Sequence, residues 1–301
     1  MLGSLLGSLI ALTLASPGQI PSGITLNTLP QANDVVKPQP PVKRRTDSLG
    51  IKTLAPSAFV ADVATGNVLF AKDAHRVMPI ASLTKLMTAM VLLDSGVDLK
   101  QTVVMKDQDF DRESKGVFKV GEELTYGDLL KTMLVGSINA SASAIARASM
   151  GTDKFIAAMN AKAVEMGLKS PHYEDPSGLD PDNRASAADI AAIITKASSY
   201  PEIRDVSHLS EVTVRGLRTG QAYTVKSTNL LLGSFINRKP YSVVTAKTGS
   251  LPEAGYNMAQ VTRNLDGHEI VAVELGNDNH FGRFQDIKSL TYWAFDTYEW
   301  R

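Results

Sequence analysis

Cysteine is absent from this 301-residue chain, so covalent catalysis would fall to Ser, Thr, Lys or a carboxylate. One arrangement with that potential is Ser82-Leu83-Thr84-Lys85. A serine hydroxyl is a poor nucleophile until a base takes its proton. Residues three apart on a helix share a face, so Lys85 can bring its amine to the Ser82 oxygen. Helix N-terminal amides would add positive potential there. The plainer alternative is a helix cap followed by an exposed lysine. A second arrangement is Ser137-Ile138-Asn139, between two helical stretches. Its hydroxyl can shuttle a proton, and its amide can both donate and accept to a peptide. The same pattern recurs at Ser227-Thr228-Asn229; Ser137 is preferred because it breaks two helices, although simple capping would also account for it. The third arrangement, Lys247-Thr248-Gly249, directly follows the strand-like Val243-Val244-Thr245. It offers a fixed positive charge, a hydroxyl donor, and a glycine that lets a substrate backbone approach. A strand ending in a turn is the alternative.

Composition narrows the classes. Lys+Arg and Asp+Glu number 31 each, so the formal net charge is zero and no nucleic-acid partner is expected. The five histidines (His75, His172, His208, His268, His280) are scattered without ligand spacing, so no metal and no cofactor are expected. An apolar fraction of 44% suits a globular protein. Residues 1–33 carry no charged side chain. Leu2 to Leu14 form an apolar run shorter than the roughly 20 residues a membrane span needs, followed by small residues and Pro17. Residues 1–16 are therefore predicted to be a signal peptide, although no Lys or Arg precedes the run, and the protein is expected to be secreted. No transmembrane anchor is expected in the mature chain. Residues 17–52, rich in Pro, Gln, Asn and Ser, read as a linker whose basic knot, Lys43-Arg44-Arg45, is solvated.

Residues 53–301 are the predicted folded domain. Ala58 to Asp62 and Asn67 to Ala71 flank Ala64-Thr65-Gly66 as a hairpin. Helical periodicity follows over Ser82–Leu93, Leu124–Val135, Ser141–Met150, Thr152–Met166 and Ala185–Ala197. Tyr256–Thr262 and Glu269–Leu275 alternate around an Asp266-Gly267 turn, and Phe284–Trp300 reads as a closing helix. Strands at both ends with helices between them predict one sheet built from about 53–80 and 240–301, with a helical insertion.

Taken in order, the three motifs resemble the active-site set of penicillin-binding proteins and serine β-lactamases. Pro79 to Ala89, Asp175-Pro176-Ser177-Gly178-Leu179 and Ala254-Gly255-Tyr256-Asn257 also look like the low-molecular-mass D-alanyl-D-alanine peptidases. The resemblance covers about Ser57 to Trp300. It implies a mixed α+β fold of the β-lactamase/transpeptidase type: an antiparallel five-stranded sheet flanked by helices, plus a mostly helical subdomain. It further implies an acyl-enzyme on Ser82, with Lys85 as base, Ser137 as proton relay and Asn139 orienting the peptide. The N–H groups of Ser82 and Ser250 would hold the oxyanion, while Lys247 and Thr248 would bind the carboxylate of the leaving D-amino acid beside Gly249. Arg283 matches a carboxylate-binding position of carboxypeptidase relatives, a solvated surface charge being the alternative. The chain ends just after the expected last helix, as in the penicillin-binding protein 7 type, an endopeptidase of peptidoglycan cross-links. Ile138 departs from the acidic residue such endopeptidases carry. The expected partners are peptidoglycan peptides, with β-lactams as inhibitors, and the expected location is the periplasm. A carboxypeptidase is the alternative. A β-lactamase is a remoter one, since Glu174-Asp175-Pro176 lacks the deacylating Glu-x-x-Leu-Asn type of sequence. An idle peptidoglycan- or β-lactam-binding sensor would be expected to have lost Ser82 or Lys85.

Overall fold

A computed structural model describes residues 38–111 and 117–301. The predicted signal peptide and residues 17–37 of the predicted linker lie outside the described residues. Five strands form the central sheet: β1 (Ser57–Asp62), β2 (Val68–Lys72), β3 (Ser242–Leu251), β4 (Gly255–Arg263) and β5 (Glu269–Asn277). Their order is β3-β4-β5-β1-β2 and every neighbour is antiparallel. The expected mixed α+β architecture is thus observed, with segments 57–72 and 242–277 meeting in one sheet. The β1–β2 turn closes because the Asp62 carboxylate accepts from the Thr65 N–H at 2.9 Å and the Thr65 hydroxyl at 2.5 Å.

Among the described residues seven α-helices accompany the sheet: α1 (Lys85–Asp94), α2 (Tyr126–Val135), α3 (Asn139–Ser149), α4 (Thr152–Glu165), α5 (Ala187–Ala197), α6 (Pro201–Ser207) and α7 (Gly282–Thr297). Strand β5 explains how both faces of the sheet are covered. Its Ile270 and Ala272 pack with Phe284, Ile287, Leu290 and Trp293 of α7. Its Val271, Val273 and Leu275 join the larger core built around Leu86, Met87 and Met90 of α1. Successive strand residues point to opposite faces, so an apolar run serves two cores at once. Helix α1 is apolar on nearly every side, and eight of its ten residues are buried. A helix without a polar face has to sit in the interior. Side-chain caps start two of the others: Thr125 Oγ1 accepts from Asp128 N–H for α2, and Ser186 with Asp189 forms a capping box for α5.

Four expectations need correction. The helix predicted from Ser82 begins instead with a 3₁₀ turn, Ala81–Thr84, and becomes α-helical only at Lys85. The linker predicted through Lys52 is folded over its final part. Val42–Lys43 pair with Tyr298–Glu299, and Trp293 Nε1 donates to Ser48 Oγ at 2.7 Å. Those end residues, predicted to close the last helix, form a short strand because α7 stops at Thr297. Lys247-Thr248-Gly249 lies inside β3, which runs on to Leu251 and pairs with β4 throughout. A further hairpin, Glu211–Arg215 with Ala222–Lys226, had no place in the sequence reading.

The 3₁₀ turn owes its shape to two glycines. Gly178, at φ +83°, lies so close that a Cβ would stand 2.0 Å from Ala81 O. A Cβ on Gly249 would stand 2.8 Å from Ile80 O and 3.0 Å from Ser82 N. Gly178→Ala is therefore expected to cost about 2–4 kcal/mol of stability through strain and backbone displacement. Urea unfolding of the variant checks this; a loss below about 0.5 kcal/mol would show that the turn is not held by that contact.

Candidate active site

Ser82 stands on the 3₁₀ turn with partial exposure, while Lys85 one turn later is fully buried. The Lys85 Nζ lies 2.8 Å from Ser82 Oγ, 2.7 Å from Asn139 Oδ1 and 2.6 Å from Ser177 O. Asn139 opens α3, and its Nδ2 donates to Asp111 Oδ2 at 3.2 Å, which fixes the amide with its oxygen toward the lysine. Two of the three partners of Nζ, the Asn139 and Ser177 oxygens, can only accept. Burial pushes the Lys85 amine down to about 7, against the opposing pull of Asp175 and Asp111. Once it has lost a proton, its two N–H groups are taken by the obligate acceptors. Its lone pair is left facing the one partner able to donate, the Ser82 hydroxyl.

Ser137 occupies the break between α2 and α3 with a left-handed φ of +60°, a conformation that a non-glycine residue holds only when its surroundings enforce it. Lys247 Nζ donates to Ser137 Oγ at 2.8 Å and to Thr248 O at 2.8 Å, so β3 and the Ser137 turn face each other across the cleft. Lys247 is 1% exposed. Burial first, then the nearby Lys85 and Arg283 charges, hold it well below the usual lysine range. Gly249 is buried at the turn, and Ser250 is exposed at the open end of the strand.

Arg283 corrects its surface alternative. It is 4% exposed, its Nη1 donates to Gly249 O at 3.0 Å, and its guanidinium lies over the rings of Tyr256 and Phe284 at 5.3 and 4.7 Å. It touches the site through the β3 backbone. All nine predicted site residues thus belong to one neighbourhood, eight around the cleft and Arg283 beneath the strand.

Three contributors went unassigned in the sequence. Asp175 accepts from Ser177 N–H at 2.5 Å, Ser177 Oγ at 2.6 Å, Gly178 N–H at 2.8 Å and Asp180 N–H at 2.7 Å. That turn delivers the Ser177 carbonyl to Lys85, and an Asp followed by Pro-Ser-Gly is its sequence signal. Asn183 braces it, accepting from the N–H groups of Glu174 and Asp175 and donating to Thr84 Oγ1 at 3.1 Å. Asn257 ties β4 to the approach to Ser82 by donating to Pro79 O at 3.1 Å.

Residues 43–279 match the profile of peptidase family S11, D-alanyl-D-alanine carboxypeptidase. The chain belongs to this family. A D-alanyl-D-alanine endopeptidase of Pseudomonas aeruginosa is 33% identical over 241 residues, spanning 79% of this chain and 76% of its own. A D-alanyl-D-alanine carboxypeptidase of Escherichia coli, DacD, is 29% identical over 80% of this chain and 63% of its own. Among solved structures, the Streptomyces K15 DD-transpeptidase superposes with a TM-score of 0.76 at 25% identity, covering 83% of this chain and 100% of that one. A serine peptidase of family S11 accounts for the hydroxyl and the two buried amines, one opening α1 and the other on the edge strand β3.

This peptidase carries a stability signature of its buried lysine. With the amine near 7 when folded and 10.5 when unfolded, the unfolded chain binds more protons between those values. Stability is therefore expected to rise as pH climbs from 7 toward 10, Lys85 contributing up to about 1.4 kcal/mol per pH unit. Urea titrations at pH 7, 8 and 9 should show a shallower rise for Lys85→Met; equal slopes in both proteins would mean that Lys85 is charged in the folded state.

Proposed function

We propose that this family S11 peptidase is a periplasmic endopeptidase that hydrolyses D-alanyl-D-amino acid bonds in peptidoglycan cross-links through an acyl-enzyme on Ser82. The observation that carries the reading is the Lys85 amine, buried with no carboxylate of the described residues in hydrogen-bond contact and aimed at the Ser82 hydroxyl. Lys85 takes the Ser82 proton as Oγ attacks the D-Ala carbonyl carbon. The N–H groups of Ser82 and Ser250 receive the oxyanion, an interaction whose loss typically costs about 2.7–4 kcal/mol in the transition state. Ser137, held by Lys247, relays the proton that Lys85 took to the departing amine, which leaves Lys85 neutral again. The carboxylate of the leaving D-residue rests on Thr248 and Lys247, while Arg283 steadies the Gly249 carbonyl and lends positive potential from below. Water then attacks the ester, with Lys85 again the base, and Ser82 is regenerated.

The choice of endopeptidase follows the 33% identity and three-quarter coverage of the Pseudomonas relative, which bears that name. The periplasmic assignment rests on the charge-free apolar leader and on a substrate that lies outside the cytoplasmic membrane. No helix among the described residues is long and apolar enough to cross a membrane. β-Lactams present a strained carbonyl beside a carboxylate, so they are expected to acylate Ser82 in the substrate's place.

Digestion of purified cross-linked muropeptides tests the substrate. Wild type should convert dimers to monomers and Ser82→Ala should not. Release of terminal D-Ala alone would identify a carboxypeptidase. Labelling by a fluorescent penicillin should accelerate with pH, with a midpoint near 7, the value at which Lys85 loses its proton. Lys85→Arg, which cannot deprotonate, should slow labelling by about 10²–10⁴-fold. A flat pH profile in wild type would exclude Lys85 as the base.

A further inference from the structure

The second Ser-x-Asn sequence, Ser227-Thr228-Asn229, is set by the fold against the same cleft. Thr228 Oγ1 lies 2.6 Å from Thr248 Oγ1. The backbone N–H of Thr228 donates to Val135 O at 3.2 Å, at the end of α2 and two residues before Ser137. One residue therefore touches both walls of the site, the helical wall through its backbone and the β3 wall through its side chain. Asn229 secures it. The Asn229 side chain is almost wholly buried, accepts from Leu231 N–H at 2.9 Å and donates to Gln260 Oε1 at 3.4 Å. Its own N–H donates to Ser227 Oγ at 3.1 Å.

Two hydroxyls in contact share one hydrogen bond and leave one proton free. When Thr248 donates to Thr228, Thr248 has nothing to offer a substrate. When Thr228 donates to Thr248, the Thr248 proton turns outward. A carboxylate arriving at Thr248 selects the second arrangement, and two hydrogen bonds running in the same sense strengthen each other. Thr248 is 3% exposed, so little water competes for its hydroxyl. Two of the N–H groups of Lys247 are already engaged by Ser137 and Thr248 O. Much of the carboxylate recognition thus falls to the hydroxyl pair.

We infer that Thr228 is a positioning residue whose hydroxyl donates to Thr248 and so directs the Thr248 proton onto the carboxylate of the leaving residue. The inference rests on the reading of the cleft given under Proposed function. It deepens that reading by assigning the preference for leaving groups with a free carboxylate to this hydroxyl pair.

The test uses two D-alanyl thioesters whose leaving groups end in a carboxylate or in the matching carboxamide. Wild type is expected to favour the carboxylate. Thr228→Ala should lower the ratio of the two kcat/KM values about tenfold. Thr228→Ser should restore it, and the pH midpoint should stay unchanged in both. In a Thr248→Ala background, Thr228→Ala should change the ratio no further. A purely structural role would depress both substrates together. A Thr228→Ala enzyme that keeps its preference within twofold, or loses both activities equally, overturns the inference. If that variant melts below the assay temperature, Thr228→Cys, a weaker donor of similar size, must show a reduced ratio, and an unchanged one overturns the inference. A wild type that turns over both thioesters equally overturns the carboxylate reading of the site itself. Loss confined to the variants leaves that reading standing, so the two failures are distinguishable.

Discussion

A primary amine removed from water with only neutral partners in hydrogen-bond contact sets the terms for this molecule. Lys85 meets a hydroxyl, an amide oxygen and a peptide carbonyl, and among the described residues no carboxylate reaches it within hydrogen-bond distance. A charge buried that way would cost several kcal/mol, so the site favours the neutral amine. A carboxylate in contact would have stabilised the fold more, but it would have kept the proton on the lysine. The chemistry of Ser82 depends on that partner being absent. Asp111 and Asp175 stop one step short: the first holds Asn139, the second shapes the turn that presents Ser177 O. Both act on the lysine through oxygens they orient.

Holding such a site open takes backbone conformations that the chain would not choose unaided. Ala81 at φ +48° and Ser137 at φ +60° are two of three non-glycine residues with positive φ among those described, and they flank the cleft on opposite walls. Strain of this kind persists only when neighbouring structure over-determines it. Here the surroundings supply that determination. Asn183 and Asn257 each cross-link separate segments behind Ser82 through side-chain amides, and Gly178 and Gly249 allow backbone to press on the turn from two sides. Helix α1, buried nearly all round, gives the strained turn a rigid base.

Much of this was legible in the sequence, and the failures share a cause. The β1–β2 hairpin, most helices and the β4–β5 pair follow from periodicity and turn residues, which are local signals. The three motifs carry chemistry in their residue types, so their convergence could be anticipated once their order was seen. What local signals do not contain is who presses on whom. The 3₁₀ turn at Ser82 comes from glycines about 96 and 167 residues further on. Strand β3 continues through Lys247 because β4 pairs with it to Leu251. Residues 42–48 looked like tether because their partners, Trp293 and Tyr298, lie at the other end of the chain. Thr228 was passed over for the same reason: its one informative neighbour is Thr248.

The burial of Arg283 raises a last electrostatic question, since a guanidinium beneath β3 adds to the charge already near two lysines. The answer lies in the next layer. Glu274 is fully buried and Asp286 nearly so, the one on β5 and the other on α7. Burial and the neighbouring Asp286 hold the Glu274 carboxyl well above the usual carboxylate range, while Asn277 and Arg283 pull the other way. Asp286 is the better hydrogen-bonded of the two. Its Oδ2 accepts from the N–H groups of Leu54 at 2.6 Å and Ala55 at 3.1 Å and from Asn277 Nδ2 at 3.3 Å. Glu274 receives only a long contact from Asn277, at 3.4 Å. A proton retained on Glu274 relieves the repulsion between the two neighbouring carboxyl groups. The charges are thus layered: acid pair, guanidinium, strand carbonyl, cleft. That order sets a buried acid pair behind the guanidinium and the guanidinium behind the strand that carries Lys247.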